Sequence, residues 1–433
     1  MKKGYELKDF FTIDDFDIEG KTVLLRIDVN SAVINGKVVL NGRIEGHAGT
    51  IEKLLDRKAR VVALAHQGRV GKPDFLPLEQ HARLLRRFVT LEYVKDVMGE
   101  VAIGAIKNLE DGEALLLENV RMIPEETLKG TPEKHSRSPF VRKLSPLVDY
   151  FINDAFSVAH RSHASIVGFA KALKSGMGSL MEKELMALEK STLHAERPRV
   201  YVLGGSKPKD ALDVMEFALS AGTADVILTT GVIGNIFLYA SGVTAMSGEE
   251  KRDKDLMGSV KRAKKIMEMR GDRIKYPEDV AVEEGGMRKE IDADFVKPGQ
   301  QICDIGEGTC RKYRERIRNA GTAIMKGPAG ICEKEIFIKG TTELLKAVSF
   351  SKAFSLIGGG HTSTVMDMIG IDRRETLNAN GYVSLSGGAL LRYLSGKSLP
   401  GIEVLRRREV SSFIGSPVAR YEERKALPAA WSL

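Results

Sequence analysis

In the amino-terminal half of this 433-residue chain, short apolar runs end repeatedly in side chains that bind anions. The segments read Arg26-Ile27-Asp28-Val29-Asn30, His66-Gln67-Gly68-Arg69, Glu118-Asn119-Val120-Arg121, and Asp154 with His160-Arg161-Ser162-His163 downstream. Guanidinium forks hold phosphate or carboxylate oxygens through two hydrogen bonds at once, so arginines converging on one crevice suit a compact polyanion. One arginine after one strand is ordinary surface; recurrence at successive strand exits points to a shared site. In the carboxyl-terminal half the exits are rich in glycine: Gly204-Gly205-Ser206-Lys207, Gly231-Val232-Ile233-Gly234, Gly327-Pro328-Ala329-Gly330 and Gly358-Gly359-Gly360-His361. Glycine lets backbone come close to a ligand, and the helix starts that follow offer unpaired N–H groups to phosphate. The two halves are therefore expected to bind different ligands.

Strands must stand behind these exits. Apolar runs at 22–29, 60–65, 114–117 and 150–153, and again at 199–203, 225–229, 323–325 and 354–357, alternate with amphipathic stretches, the pattern of parallel βαβ units. The expected fold class is α/β, with two Rossmann-like domains whose parallel sheets are flanked by helices. Residues 181–191 lack Gly and Pro and space their apolar side chains as a helix does, which predicts a rigid connector. Domain one is placed at 1–178 and domain two at 179–408.

Composition narrows the classes. Hydrophobic residues are 43% and charged residues 29%, the balance of a globular protein. Lys and Arg number 66 against 58 Asp and Glu, a surplus of 8 that suits acidic small molecules or nucleic acid without choosing between them. Cys303, Cys310 and Cys332 form no C-x-x-C pair, so neither a zinc site nor a disulfide framework is indicated, and a reducing cytoplasm is expected. No 18 apolar residues run together and the first residues lack an apolar core segment, so neither membrane spanning nor secretion is expected.

No G-x-x-x-x-G-K-[ST] loop occurs, and no strand is followed by G-x-G-x-x-G, which speaks against Walker-type ATPases and NAD dehydrogenases. A polyanion on one half and a nucleotide on the other predict phosphoryl transfer after hinge closure, because that chemistry depends on positioning and on excluding water.

Taken in order, Leu25 to Asn30, Ala65-His66-Gln67-Gly68-Arg69, Leu117 to Arg121, Asn153-Asp154-Ala155-Phe156 with His160-Arg161, Leu203 to Lys207, Asp304-Ile305-Gly306, Gly327 to Gly330, Ile357 to Gly360 and Ser386-Gly387-Gly388-Ala389 resemble the phosphoglycerate kinase family over nearly the whole chain. The resemblance implies reversible transfer between 1,3-bisphosphoglycerate with ADP and 3-phosphoglycerate with ATP, using Mg²⁺. It implies that Asp28, Asn30, Arg43, His66, Arg69, Arg121 and Arg161 bind the acid, with Arg43 reaching the transferring group and Lys207 as its counterpart on the nucleotide side. It implies a nucleotide pocket shaped by Gly204, Gly205, Gly231, Pro328, Gly330 and Gly358-Gly359-Gly360, followed by His361 and Thr362, with Glu333 holding the ribose hydroxyls. Gly360, Gly387 and Gly388 would turn helix-start N–H groups toward the phosphoryl group, and the tail 409–433 would pack back on the first domain. A monomer that binds neither nucleic acid nor membrane is implied.

Five residues at four places depart from the commoner family pattern. His361 stands where many family members carry an Asp that ligates magnesium, a position at which the archaeal branch also tends to show His, and this leaves Asp210 as the nearest carboxylate for the metal, directly or through water. Ala211 replaces a second lysine, Lys326 an Asn, and Leu385-Ser386 a Thr-Gly pair. Lys326, His361, Ala211 and the surplus of 8 positive charges motivate an alternative, a catalytically weakened paralogue that binds nucleotide or nucleic acid. His160 and His163 are read as loop-capping histidines outside the site. Arg406-Arg407-Arg408 is read as a solvated helix end, since no aromatic residues interleave with it.

Overall fold

The computed structural model describes residues 5–371 and 380–407, which fall into two compact units, one of 8–182 with 400–407 and the other of 5–7 with 183–399. The tail 409–433, expected on the first domain, lies outside the described residues.

The first unit is built on β1 (Thr22–Arg26), β4 (Arg60–Leu64), β5 (Glu92–Val94), β6 (Ala114–Leu117), β7 (Tyr150–Asn153) and β8 (Lys174–Met177), with a small hairpin of β2 (Val33–Ile34) and β3 (Lys37–Val38) in the loop after β1. The six strands form a parallel sheet in the order β5-β6-β4-β1-β7-β8. β1 is buried at every position, as a strand covered on both faces must be. It pairs with β4 on one side (Val23 opposite Val61) and with β7 on the other (Leu24 opposite Phe151). The chain leaves β1 in opposite directions, so the carboxyl end of β1 lies at the point where such sheets open a crevice.

The second unit repeats the plan with β9 (Arg199–Leu203), β10 (Val226–Thr229), β11 (Ile274–Lys275), β15 (Thr322–Lys326), β16 (Phe354–Gly358) and β17 (Gly381–Ser384), ordered β11-β10-β9-β15-β16-β17. Here the direction reverses between β9 and β15. A smaller antiparallel sheet, β12 (Asp279–Glu284), β13 (Met287–Asp292) and β14 (Ile302–Ile305), is inserted between β11 and β15.

All eight anticipated runs contain a strand. The four parallel strands that the sequence pattern did not reveal, β5, β8, β11 and β17, are the four sheet edges. Their sequences, Glu-Tyr-Val, Lys-Ser-Gly-Met, Ile-Lys and Gly-Tyr-Val-Ser, are too short or too polar to register as buried runs. The inserted sheet was hidden for a related reason: β13 has no buried residue. The connector is a helix over Ser179–Thr192, and the boundary between the units falls inside it. No helix among the described residues is long and apolar enough to cross a membrane.

Candidate active site

At the end of β1, Asp28 is buried and four polar groups converge on its carboxylate. Arg43 Nη1 lies 3.1 Å from Oδ2, the Asn30 N–H donates to Oδ1 at 3.0 Å, Ser157 Oγ donates to Oδ2, and His66 Nδ1 stands 3.7 Å from Oδ1. Burial pushes the carboxyl upward, but Arg43 above all, with the Ser157 hydroxyl and the buried Arg26, outweighs it and holds Asp28 well below the usual carboxylate range. Arg43 is placed by its helix, Gly42–Leu55, which starts where the Asn41 side chain accepts the Arg43 N–H at 3.0 Å. The same guanidinium also donates to the Asn30 carbonyl at 3.1 Å. Asn30 is committed to the loop after β4, since its Oδ1 takes the Gly68 N–H at 2.9 Å.

Arg26 is the organiser that sequence reasoning left out of the site. It is fully buried, with Nε on Ser165 Oγ at 2.8 Å, Nη1 on the Ile27 carbonyl and Nη2 against His66 Nδ1 at 3.1 Å. A guanidinium only donates, so His66 Nδ1 accepts and its proton sits on Nε2. Burial first, then the neighbouring Arg26, Arg121 and Arg161, drives His66 well below the ordinary histidine range. His66 is therefore a neutral N–H donor and adds no charge to the cluster. Ser165 is fixed in turn by the buried Glu126, which accepts its N–H and its hydroxyl, each at 2.8 Å. The signal for this layer was the arginine inside an otherwise apolar strand: so large a cation is buried only where partners satisfy it.

Arg121, after β6, donates Nη1 to the Gly68 carbonyl, while its buried Nε has no hydrogen-bond partner. Burial lowers it to about 10, with Arg161 and Arg26 adding to the effect. Arg161 is half-buried and lowered by burial and by the exposed Arg69. Arg26, Arg43, Arg69, Arg121 and Arg161 thus crowd one crevice, with Asp28 and Glu126 as the carboxylates that act on them. That surplus of positive charge fits a multiply charged anion.

In the second unit the loops after β9, β10 and β15 are tied together by backbone. Gly204 N donates to Lys326 O at 2.8 Å, Gly205 N to Pro328 O at 2.9 Å, and Gly231 N to Ala329 O at 2.9 Å. A Cβ at Gly204 would stand 2.3 Å from Pro328 O and from Thr230 Oγ1, so only glycine permits this contact. Gly205, Gly231, Pro328, Gly330 and Glu333 line a cleft of about 360 Å³, together with the anticipated motif residue Asp304 and with Asn235 and Tyr239, which the sequence did not single out. Lys207 precedes the helix Pro208–Ser220, where Lys209 and Asp210 are exposed in the first turn. Gly359 precedes the helix Gly360–Met368, which carries His361 and the buried Thr362, and Gly387 precedes the helix Gly388–Leu394. Lys207, Gly358, Gly359, Gly360, His361, Thr362, Gly387 and Gly388 are not among the cleft's lining residues; they belong to strand exits beside it.

The profile of the phosphoglycerate kinase family matches residues 13–397. The chain belongs to the phosphoglycerate kinase family. It is 44% identical over 399 residues to the phosphoglycerate kinase of Methanopyrus kandleri, covering 91% of this chain and 97% of that one. The phosphoglycerate kinase of Methanothermobacter thermautotrophicus is likewise 44% identical, over 404 residues, covering 92% of this chain and 96% of the relative. The crystal structure of phosphoglycerate kinase from Pyrococcus horikoshii superimposes with a TM-score of 0.84 at 38% identity, covering 91% of this chain and 98% of that one.

Within this phosphoglycerate kinase fold, the departure at Leu385-Ser386 is tied to the connector helix. Glu184 accepts the Leu385 N–H at 2.8 Å and the Ser384 hydroxyl at 2.7 Å, and Ser384 in turn meets Ser386 Oγ at 3.0 Å. Among the described residues no group of three or more His, Cys, Asp or Glu side chains could enclose a metal ion. Asp210 is a single exposed carboxylate, which suits a hard cation that keeps most of its waters and arrives on a nucleotide.

Proposed function

We propose that the chain carries out reversible phosphoryl transfer between 1,3-bisphosphoglycerate with ADP and 3-phosphoglycerate with ATP. The observation that carries the assignment of the acid to the first unit is the crowding of Arg26, Arg43, Arg69, Arg121 and Arg161 around buried Asp28 with the unpartnered Arg121 Nε among them. Asn30, Arg43, His66, Arg69, Arg121 and Arg161 hold the acid, Asp28 fixes the fork of Arg43, and Arg26 sets the proton of His66.

In the direction of acyl phosphate formation, a carboxylate oxygen of 3-phosphoglycerate attacks the terminal phosphorus of ATP, the bond from that phosphorus to the bridging oxygen breaks, and ADP leaves. The nucleophile is already ionised at neutral pH, so no general base is required and no enzyme-bound intermediate forms. What the protein supplies is charge on the equatorial oxygens: Arg43 from the acid side, Lys207 and the helix starts at Gly360 and at Gly387-Gly388 from the nucleotide side. Gly204, Gly205, Gly231, Pro328, Gly330, Gly358, Gly359, His361 and Thr362 shape the nucleotide site, and Glu333 receives the ribose hydroxyls. Asp210 would hold, directly or through water, a magnesium ion carried in on the nucleotide, and the chemistry the ion would supply is neutralisation of phosphate charge. The two ligands must meet, so the reading includes a hinge at the helix Ser179–Thr192. One chain carries both residue sets, so a cytoplasmic monomer suffices.

The test is a coupled assay with 3-phosphoglycerate, ATP and Mg²⁺, beside calorimetric titration of each ligand alone. Turnover is expected, with the acid and the nucleotide binding independently. Competition of the two for one cavity, or binding without turnover, would overturn it.

A further inference from the structure

Lys326 closes β15, flanked by β9 and β16, at the point where the direction of the second sheet reverses. Its Nζ has no ion pair or hydrogen bond among the described residues, although most of the side chain is withdrawn from water. Burial lowers its pKa, and Lys207 lowers it further, against only a partial offset from Asp210. A Cβ at Gly359, the residue before the helix Gly360–Met368, would lie 2.6 Å from Lys326 Nζ and 3.3 Å from Thr362 Oγ1. Thr362 is fully buried, and its hydroxyl has no partner. Two like charges, one of them desolvated, beside an orphan hydroxyl and the start of a nine-residue helix are costly in the absence of a ligand. An anion with several oxygens would satisfy all of them at once.

We infer that Lys326 is a direct ligand of the nucleotide's terminal phosphates, sharing them with Lys207, Thr362 Oγ1 and the first turn of the helix Gly360–Met368. The inference rests on the proposed function and deepens it. It gives the exit of β15 a cationic role that a short polar side chain there could not fill.

The test compares wild type with Lys326→Met and Lys326→Arg, using calorimetric ATP and 3-phosphoglycerate binding, kcat, and the melting temperature without ligand. Lys326→Met is expected to weaken ATP binding at least tenfold and lower kcat, while 3-phosphoglycerate binding stays within twofold. Its ligand-free melting temperature should equal or exceed that of wild type, because an unpaired desolvated charge has been removed, and Lys326→Arg should recover much of the ATP affinity. ATP affinity and kcat within twofold of wild type would overturn the inference. So would a lowered ligand-free melting temperature with no gain in ATP affinity on going from Met to Arg, which is the signature of a packing role. Should the Met variant fail to fold, Lys326→Gln takes its place. A wild type that binds ATP but never turns over defeats the proposed function and not this inference; a turning-over wild type whose Met variant binds ATP normally defeats Lys326 alone.

Discussion

His47 Nδ1 and Asp154 Oδ2 lie 2.8 Å apart in the interior of the first unit, and the direction of their hydrogen bond is fixed by a third group. The Asp28 N–H points at His47 Nε2 at 3.0 Å, so Nε2 must accept and Nδ1 must donate to Asp154. The other oxygen of Asp154 accepts the N–H groups of Leu180 and Met181, at 2.8 and 3.0 Å, in the first turn of the connector helix. One imidazole thus links the backbone of the proposed acid site to the start of the proposed hinge. His47→Leu leaves a buried N–H and a buried carboxylate oxygen unpaired, at a cost on the order of 3 kcal/mol. The loss should appear in the urea midpoint together with a raised KM for 3-phosphoglycerate and an unchanged nucleotide KM; His47→Gln, which offers both an acceptor and a donor, should recover part of both.

The proposed division of labour separates by kinetics. Lys207→Ala should lower kcat at least about a hundredfold, close to 2.7 kcal/mol, with little change in nucleotide Kd, because its charge acts on the transferring group. Arg43→Ala should lower kcat likewise. Arg161→Ala should mainly weaken binding of the acid. A change confined to nucleotide affinity in Arg161→Ala would reverse the assignment of the two units.

Acid should destabilise this protein before its carboxylates titrate. His81 donates from Nε2 to Gln67 Oε1 at 3.0 Å, its Nδ1 is buried without a partner, and burial lowers its pKa from 6.5 to about 4. Between those values the unfolded chain binds one more proton at this residue than the native one, so stability is present above pH 6.5 and is lost as the pH falls toward 4. By pH 5 the loss is about 2 kcal/mol from His81, and His66, lowered in the same direction, adds to it. Urea midpoints at pH 7 and pH 5 check the sign. His81→Gln should flatten the dependence by one proton, whatever it costs at pH 7.

What the sequence disclosed and what it withheld divide along a physical line. Central strands such as β1 and β9 must be apolar on both faces, so they stand out from composition; edge strands such as β11, two residues long, carry no such demand. Glycines and arginines at strand exits were legible because their types alone limit what they can do. The layer beneath them was not. Nothing local to Arg26, His47 or Glu126 says that each is buried, because their partners Ser165 and Asp154 lie 39 to 139 positions away along the chain. The anion-ligating role inferred for Lys326 was likewise invisible: it depends on Gly359 and Thr362 reaching the same point from the neighbouring strand's exit.

Gly204→Ala tests whether the nucleotide half depends on close backbone contact. The three loops after β9, β10 and β15 interlock through Gly204, Gly205 and Gly231, and the added methyl would meet the Pro328 carbonyl at 2.3 Å, well inside van der Waals contact. That carbonyl already accepts from Gly205, so it cannot retreat without breaking the bond that sets the cleft wall. Overpacking of this kind costs about 1 to 3 kcal/mol. Gly258→Ala is the matched control: it lies within the helix Lys254–Arg270, and its Cβ would meet nothing within 4 Å, so helix propensity should make it stabilising by up to about 1 kcal/mol. ATP binding should weaken at least tenfold in Gly204→Ala and stay at the wild-type value in Gly258→Ala, with 3-phosphoglycerate binding unchanged in both. If Gly204→Ala binds ATP normally, the contact of Gly204 with Pro328 is not what shapes the nucleotide site, and the glycine there serves only the turn.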